Sequence, residues 1–325
     1  MKIGLLAPEV MTIGGVQTFM QRIIDVLENI ASPDKQKFAL SLNDDESETG
    51  IWKNVIFKGA SRSKLYYLKL AFRYCNNTDY LVVGHVGQAP LAWLLKRFGL
   101  VSQYGVVLHG IEAWEKLPVL KREALLNANH IIATTQYTAD ACANKNGLDK
   151  RKIIIIPLCV NDSTDQLSDL KLKGKFKLLC VGRQSKTEHG KGYHMLFDAM
   201  SDLVKTHPEI HLNMVGDGDE HQLLIDLCRL KGIEEDVTFW GSLSGGDLES
   251  AYMDCDVFVL PSRKEGFGIV FLEAMKSGKP CIGGNHGGTP EVIKEGESGY
   301  LVDFDDTSTL IKRIKQLVDN PALCR

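Results

Sequence analysis

The stretch Glu265-Gly266-Phe267-Gly268-Ile269-Val270-Phe271-Leu272-Glu273-Ala274-Met275 directly follows a short apolar run at residues 256–261 that ends in proline. Such a run is typical of a buried parallel strand. Residues 269–276 favour a helix, which Gly278 and Pro280 then end. The sequence therefore predicts a strand, a glycine-containing loop and a helix. This junction directs free backbone N–H groups and the positive helix end at one spot, which suits phosphate.

Two carboxylates flank this predicted anion site. Glu265 lies in the loop before the helix, and Glu273 lies about one turn inside it. A carboxylate repels a nearby anion unless it accepts hydrogen bonds from hydroxyl groups of the same ligand. Sugar diphosphates carry both phosphates and vicinal hydroxyls, so they are the ligand class that this pattern indicates.

The segment resembles the Glu–seven residues–Glu motif of retaining glycosyltransferases with the two-domain GT-B architecture, in particular glycosyltransferase family 4. Residues 281–291, Cys-Ile-Gly-Gly-Asn-His-Gly-Gly-Thr-Pro-Glu, follow at the spacing of that family. Most of the chain can be matched, and the C-terminal half matches best. The motif alone also fits an ordinary strand–helix turn with two incidental glutamates. The resemblance implies an α/β protein with two Rossmann-like domains, whose parallel sheets face each other across a cleft.

Composition indicates a globular protein with two domains. The 325 residues are 44% apolar and 24% charged, and the net charge of −3 argues against nucleic-acid binding. No apolar run approaches the roughly 18 residues of a membrane span, and no signal-peptide pattern follows the N-terminus. The 8 cysteines form no C-x-x-C pair and are expected to be free thiols in a reducing compartment. A cytoplasmic location follows.

A polar stretch at residues 161–175 divides two runs of alternating strands and helices. It is expected to be a linker between an N-terminal, acceptor-side domain (1–160) and a C-terminal, nucleotide-sugar-binding domain (176–325). In the first domain, residues 41–50 are acidic and predict a surface loop. The first helix, up to about residue 30, is predicted to bury a face formed by Phe19, Ile23, Ile24 and Leu27.

Two segments of the first domain are candidates for donor contacts. Gly14 and Gly15 open the first helix after a strand, and the resemblance implies that this turn faces the phosphate and sugar of the donor. His109 ends the predicted strand at residues 104–108, where open parallel sheets bind ligands. The resemblance implies a catalytic role for His109 near the donor sugar. A plain turn and a structural histidine are the alternative interpretations.

In the second domain, the resemblance assigns residues to each part of the donor. Arg183 and Lys191 would bind the diphosphate, Arg183 in bidentate fashion and Lys191 as a point charge; Lys186 is a competitor for the second role. The loop at Leu243 and Ser244 would hold the base. The remaining donor-binding residues implied are Gly182, Gly266, Phe267, Gly268 and Ile269.

Neither a metal nor another cofactor is expected. Asp217 and Asp219 form a D-x-D pattern, as do Asp254 and Asp256. That pattern binds a metal in a different glycosyltransferase architecture. Here the surrounding glycines favour a turn, and Asp219 is predicted to start a helix.

The stretch Lys58–Arg73 is basic and interleaved with apolar residues. It predicts either a helix that contacts a membrane surface or the acceptor, or an outer helix with a solvated cationic face. The first interpretation would place the protein peripherally at the inner face of the membrane.

The sequence thus predicts a retaining hexosyltransferase that moves a sugar from a UDP- or GDP-sugar to a glycan, lipid or other hydroxyl acceptor, in cell-surface polysaccharide or glycoconjugate synthesis. Members of the family usually continue into a last helix that crosses back onto the first domain, whereas this sequence stops at Cys324-Arg325. A non-catalytic nucleotide-sugar binder therefore stays an alternative, beside a sugar phosphorylase or a nucleotide-sugar epimerase of the same fold.

Overall fold

The computed structural model describes residues 1–12, 14–30, 36–45, 51–160, 166–186 and 190–324. The chain divides into two compact units, Met1–Leu158 and Cys159–Arg325. Each unit is built around one sheet of parallel strands with helices. The predicted α/β class with two parallel sheets is thereby confirmed.

The described part of the first unit forms a seven-stranded parallel sheet in the order β3-β2-β1-β4-β5-β6-β7. Its strands β1 to β7 are Ile3–Ala7, Lys37–Ser41, Ile56–Gly59, Thr78–Val83, Val101–Leu108, His130–Ala133 and Ile153–Ile155. Its helices α1 to α5 are Gly15–Asn29, Lys64–Tyr74, Ala89–Arg97, Val119–Leu126 and Gln136–Asn146. Strand β1 is buried along its whole length, as expected for a central strand of a parallel sheet.

The described part of the second unit forms a six-stranded parallel sheet in the order β10-β9-β8-β11-β12-β13. Its strands β8 to β13 are Phe176–Val181, Ile210–Val215, Val237–Phe239, Val257–Leu260, Cys281–Gly284 and Gly299–Val302. Its helices α6 to α10 are Tyr193–Leu203, His221–Lys231, Gly245–Asp254, Ile269–Lys276 and Thr307–Val318. The predicted strand before the glutamate motif and the helix at residues 269–276 are confirmed.

Both sheets reverse their strand order once, and this positions the candidate site. In the first sheet the reversal lies between β1 and β4, and in the second it lies between β8 and β11. At such a point the connections leave toward opposite sides of the sheet, which opens a crevice beyond the carboxyl ends of the two strands. The loops that follow β1, β4, β8 and β11 are therefore the places to look for ligand-binding residues.

Aromatic packing fixes helix α9 on the second sheet. Phe258 of β11 and Phe271 of α9 are both fully buried, with ring centroids 5.4 Å apart in an edge-to-face arrangement. This contact holds the start of α9 at the carboxyl end of β11.

One expectation for the first unit is wrong, and a second is wrong in part. Lys58–Arg73 is not one helix, because Lys58 belongs to β3 and helix α2 begins only at Lys64, after the Ser63 side chain accepts a hydrogen bond from the Tyr66 N–H. The stretch 41–50, expected to be a surface loop, begins with buried residues. Ser41 ends β2, and Asp44 is 5% exposed and accepts hydrogen bonds from backbone N–H groups. Residues 46–50 lie outside the described residues.

The buried face of α1 is only partly as expected. Ile24 and Leu27 are buried, whereas Phe19 and Ile23 are partly buried. Met20 completes the buried face instead.

The stretch expected to be a linker is tied to the second unit where it is described. The N–H of Ser168 donates to Oγ of Ser250 (3.0 Å), and the N–H of Leu172 donates to Asp254 (2.8 Å). The Leu172 side chain is buried in the core of that unit. Residues 161–165 lie outside the described part of the chain.

No helix in the described ranges combines the length and the apolar character that crossing a membrane requires.

Candidate active site

The second unit gathers many of the predicted residues in the loops after β8 and β11 and at the start of α9. They are Gly182, Arg183, Lys191, Glu265, Gly266, Phe267, Gly268 and Ile269. Because β8 and β11 flank the reversal of the strand order, these loops meet at the edge where a ligand is expected.

Gly268 shapes the loop before α9. Its φ of 85° lies in the left-handed region, and a Cβ there would lie 2.5 Å from the Phe271 ring and 3.1 Å from Cγ of Glu265. Only glycine fits this position. The chain can therefore turn tightly into α9. The N–H of Phe271 donates to the carbonyl of Gly268 at 3.0 Å, which leaves the first two N–H groups of α9 as those suited to bind an anion.

Lys191 and Glu265 form an ion pair at the centre of this group. Nζ of Lys191 lies 2.9 Å from Oε2 of Glu265, and each side chain is 15% exposed. The predicted phosphate ligand Lys191 thus contacts Glu265, one of the two carboxylates predicted to flank the anion site. A diphosphate that binds Lys191 would compete with Glu265 for its ammonium group.

Contacts between the two loops hold this ion pair in place. Oγ of Ser262 donates to the carbonyl of Gly190 at 3.0 Å, and the N–H of Arg263 donates to the same carbonyl at 2.6 Å. Gly192 has φ 80°, and a Cβ there would lie 2.3 Å from the carbonyl oxygen of Pro261. The loop that carries Lys191 is therefore packed against the loop that carries Glu265.

Arg183 lies in the loop after β8, with an exposed side chain. Its carbonyl accepts a hydrogen bond from the Tyr193 hydroxyl at 3.0 Å, which fixes the backbone. Gly182 precedes it and is closely approached by Gly216, where a Cβ would lie 2.0 Å from the Gly182 carbonyl oxygen. The backbone at Arg183 is thus held from both sides.

Glu273 lies one turn inside α9 and contacts Tyr252 of α8. The Tyr252 hydroxyl donates to Oε2 of Glu273 at 2.7 Å. Burial raises the pKa of Glu273, and the hydrogen bond from Tyr252 opposes that rise. Sequence reasoning missed Tyr252, because nothing in residues 245–254 distinguishes it from an ordinary core tyrosine.

The loop expected to hold the base leads into α8. Ser244 is the N-cap residue of α8, although its side chain makes no capping hydrogen bond, and Leu243 packs partly buried against the core. Gly241, just before them, accepts a hydrogen bond from the N–H of Gly216 at 2.7 Å. This contact ties the loop to the one after β9.

In the first unit, His109 follows β5 and is 9% exposed. Its Nε2–H donates to the carbonyl of Gly84 at 2.7 Å, so Nδ1 is the acceptor nitrogen of the neutral ring. Its ring stacks on His85 (6.3 Å between centroids, 15° between planes) and meets the edge of Phe19 at 5.5 Å. Burial lowers the pKa of His109, and neighbouring His85 lowers it further, whereas Glu112 opposes both.

His85 is a candidate residue that sequence reasoning missed. It follows β4 just as His109 follows β5, and these strands are neighbours in the sheet. Its Nδ1 accepts a hydrogen bond from the N–H of Gly87 at 3.0 Å, and burial lowers its pKa. The rule that pointed to His109, a position at the carboxyl end of a parallel strand, would have found His85 as well.

Gly14 and Gly15 stand at the start of α1, as predicted. The loop that leads to them is anchored by Asp44, whose carboxylate accepts hydrogen bonds from the N–H groups of Val10 (2.7 Å) and Met11 (3.2 Å). Buried Asp44 therefore positions the glycine turn from a distant part of the sequence.

The aspartates of both D-x-D patterns make structural contacts. Asp254 pairs with Lys177 at 3.0 Å, and Asp256 accepts from the N–H of the same lysine at 2.7 Å. Asp219 accepts from the N–H of Lys186 at 2.9 Å, and helix α7 begins two residues after it. Asp217 accepts from the N–H of Gly218 at 2.7 Å. Within the described ranges, no group of three His, Cys, Asp or Glu residues is arranged to hold a metal.

Comparison with known proteins adds the family. The model of the family described as glycosyl transferases group 1 matches residues 162–325. Spore coat protein SA of Bacillus subtilis is 36% identical over 161 residues, which cover 47% of this chain and 42% of that protein. Mannosylfructose-phosphate synthase of Agrobacterium fabrum is 33% identical over 197 residues, which cover 55% of this chain and 43% of that protein. The matches thus span less than half the length of these two relatives.

The fold has counterparts among solved structures. Sucrose-phosphate synthase from Thermosynechococcus elongatus superimposes with a TM-score of 0.80 at 19% identity, covering 100% of this chain and 91% of that chain. This likeness shows the shared fold.

Proposed function

Because the chain belongs to the glycosyl transferases of group 1, we propose that it moves a hexosyl group from a nucleoside-diphosphate sugar to a hydroxyl acceptor. The observation that carries the proposal is the ion pair of Lys191 and Glu265, held beside the start of α9. This arrangement supports the proposal, because a cation suited to phosphate, a carboxylate suited to sugar hydroxyls and the start of α9 lie together at the carboxyl edge of one sheet.

The diphosphate would be bound by Arg183, Lys191 and the first N–H groups of α9. Negative charge builds on the leaving phosphate as the bond to the sugar breaks, and fixed positive groups stabilise that charge. Lys191 would exchange Glu265 for the phosphate when the donor enters. Glu265 would then accept hydrogen bonds from sugar hydroxyls, and Glu273 from the ribose.

We propose retention at the anomeric carbon, with the acceptor attacking on the face from which the diphosphate leaves. Once Lys191 has exchanged Glu265 for the phosphate, Glu265 would be engaged by sugar hydroxyls, so the proposal gives it no role as a nucleophile. The departing phosphate itself would accept the proton of the attacking hydroxyl. In the first unit, the neutral ring of His109 would offer Nδ1 as a hydrogen-bond acceptor.

Glycans, lipids and other hydroxyl compounds are the proposed acceptors, in cytoplasmic synthesis of surface polysaccharides or glycoconjugates. A peripheral contact with the inner face of the membrane would involve α2. Its side chains Leu65, Leu68 and Phe72 are 76%, 38% and 43% exposed, and Lys69 and Arg73 lie next to them. This combination suits an anionic lipid surface.

Thermal shift with a panel of UDP- and GDP-sugars tests donor binding, because a ligand that binds only the folded state raises the Tm. The donor that binds is then incubated with the enzyme, with and without a set of glycan and lipid acceptors. A glycosyltransferase forms a new glycoside only with acceptor present. Turnover that requires inorganic phosphate, isomerisation of the donor, or binding without any turnover would each contradict the proposed reaction.

A further inference from the structure

The tyrosine that contacts Glu273 has a role that the glutamate motif does not assign. We infer that Tyr252 is a positioning residue, which turns the Glu273 carboxylate so that one of its oxygens faces the ribose hydroxyls of the nucleotide. This inference rests on the nucleotide-sugar function proposed above.

Tyr252 is held rigidly in the core. It is 2% exposed, and its ring packs against Phe258 with centroids 5.8 Å apart. Phe258 packs in turn against Phe271 of α9, the helix that carries Glu273. The hydroxyl therefore has a fixed place relative to α9, and its 2.7 Å hydrogen bond fixes Oε2 of Glu273.

Fixing Oε2 leaves Oε1 as the atom available to a ligand. Oε1 of Glu273 accepts no hydrogen bond from the described residues, and the Glu273 residue is only partly buried. We therefore assign Oε1 to the ligand. A carboxylate with one oxygen fixed and the other left for the ligand is preorganised to accept hydrogen bonds from the hydroxyls of a diol.

Other charged groups near Glu273 do not replace the tyrosine. Glu249 of α8 raises the pKa of Glu273, whereas Lys276 lowers it. Nζ of Lys276, however, lies 2.9 Å from Oε1 of Glu249 and pairs with that carboxylate. Within the described residues, the Tyr252 hydroxyl is the side-chain donor that binds the Glu273 carboxylate.

The test is calorimetric titration of wild type and Tyr252→Phe with UDP, or GDP if that is the nucleotide bound, and with the matching 2′,3′-dideoxynucleoside diphosphate. Wild type is expected to prefer the ribonucleotide by about tenfold or more, the effect of losing hydrogen bonds to a charged group. Tyr252→Phe should reduce this preference to within about threefold, with little change for the dideoxy compound. Tyr300→Phe is the control, because it removes a hydroxyl that binds Gln316 in the same unit, and it should keep the wild-type preference.

Two further variants show whether Tyr252 acts through Glu273. In the Glu273→Ala background, Tyr252→Phe should have no additional effect on the preference, since the effects of coupled residues are not additive. Glu273→Asp should lose the preference even if Tyr252→Phe does not fold, because the shorter side chain cannot reach both Tyr252 and the ribose. An equal loss of affinity for both compounds in Tyr252→Phe, or a wild-type preference in Glu273→Asp, would overturn the inference. Wild-type protein that binds neither UDP nor GDP would instead contradict the proposed function.

Discussion

At the scale of single residues, Arg183 provides the sharpest test of phosphate binding. If its planar guanidinium makes two hydrogen bonds to the diphosphate, lysine cannot reproduce that geometry. Arg183→Lys should lower kcat/KM by at least about tenfold, the loss of one charged hydrogen bond. Lys186→Ala is the matched control in the same loop and should retain wild-type kinetics. A wild-type rate in Arg183→Lys would place Arg183 outside the site, and a loss of activity in Lys186→Ala would make Lys186 a phosphate ligand.

The two glutamates of the motif should respond differently to removal. Glu273→Ala is expected to weaken free nucleoside diphosphate and intact donor alike, by about tenfold or more, because it loses the ribose contact. Glu265→Ala should leave the affinity for free diphosphate unchanged or tighten it, since Lys191 no longer has a competing partner. Glu265→Ala should also lower kcat more than donor affinity. This is the effect of losing a contact that strengthens in the transition state.

Calorimetry with diphosphate and with donor measures this difference between the glutamates. Equal loss of diphosphate binding in both variants would show that the division of roles is wrong, even within a glycosyltransferase.

The buried histidines predict how the stability of the protein depends on pH. Burial lowers the pKa of His109 and of His85 below 6.5, their usual value, so the unfolded chain binds protons at a higher pH than the folded one. Stability is therefore complete above about pH 6.5 and falls as the pH drops toward the folded pKa values. Urea unfolding at pH 7.5 and pH 5.5 should show a smaller pH effect in His109→Gln than in wild type. An unchanged pH effect would assign it to other groups.

At the scale of secondary structure, apolar runs predicted the central strands, whereas β2 and β3, on one side of the first sheet, were missed. Strand β2 begins with Lys37, which is 5% exposed because its aliphatic chain is buried while Nζ donates to the carbonyl of Ile30 at 2.7 Å. Lys58 likewise lies inside β3. A lysine in a short strand interrupts the apolar pattern, so neither β2 nor β3 was predicted.

Helix α2 carries the prediction about membranes. If its exposed apolar residues contact lipid, vesicles with acidic lipid should sediment the protein, and salt should release it. The double variant Leu65→Gln/Phe72→Gln should bind the vesicles at least about a hundredfold more weakly, because each apolar side chain buried in lipid contributes roughly 1.5–3 kcal/mol. Leu230→Gln is the control, because Leu230 is an exposed leucine (84%) on α7. Equal sedimentation with neutral vesicles would leave α2 as a solvated outer helix.

At the scale of the whole molecule, the sequence predicted both sheets and the loops that carry Arg183, Lys191 and Glu265. Those residues lie in short motifs that directly follow clearly apolar strands. The local sequence is enough to predict such loops. Asp44 and Tyr252 were not predicted. Each acts on a segment at least 20 residues away in the chain, through a contact that only the packed fold creates.

The last prediction concerns how the molecule balances the charge of its ligand. The proposal meets the diphosphate with Arg183, Lys191 and the N-terminus of α9, so no metal is required to neutralise it. Activity should therefore survive excess EDTA. Asp217→Asn/Asp219→Asn should keep kcat within about threefold. These side chains bind backbone N–H groups at the surface, and surface substitutions usually change the free energy of unfolding only slightly. If activity strictly required Mn²⁺ or Mg²⁺ and the aspartate variant abolished it, the carboxylates would be metal ligands, and the cationic groups alone would not stabilise the leaving diphosphate.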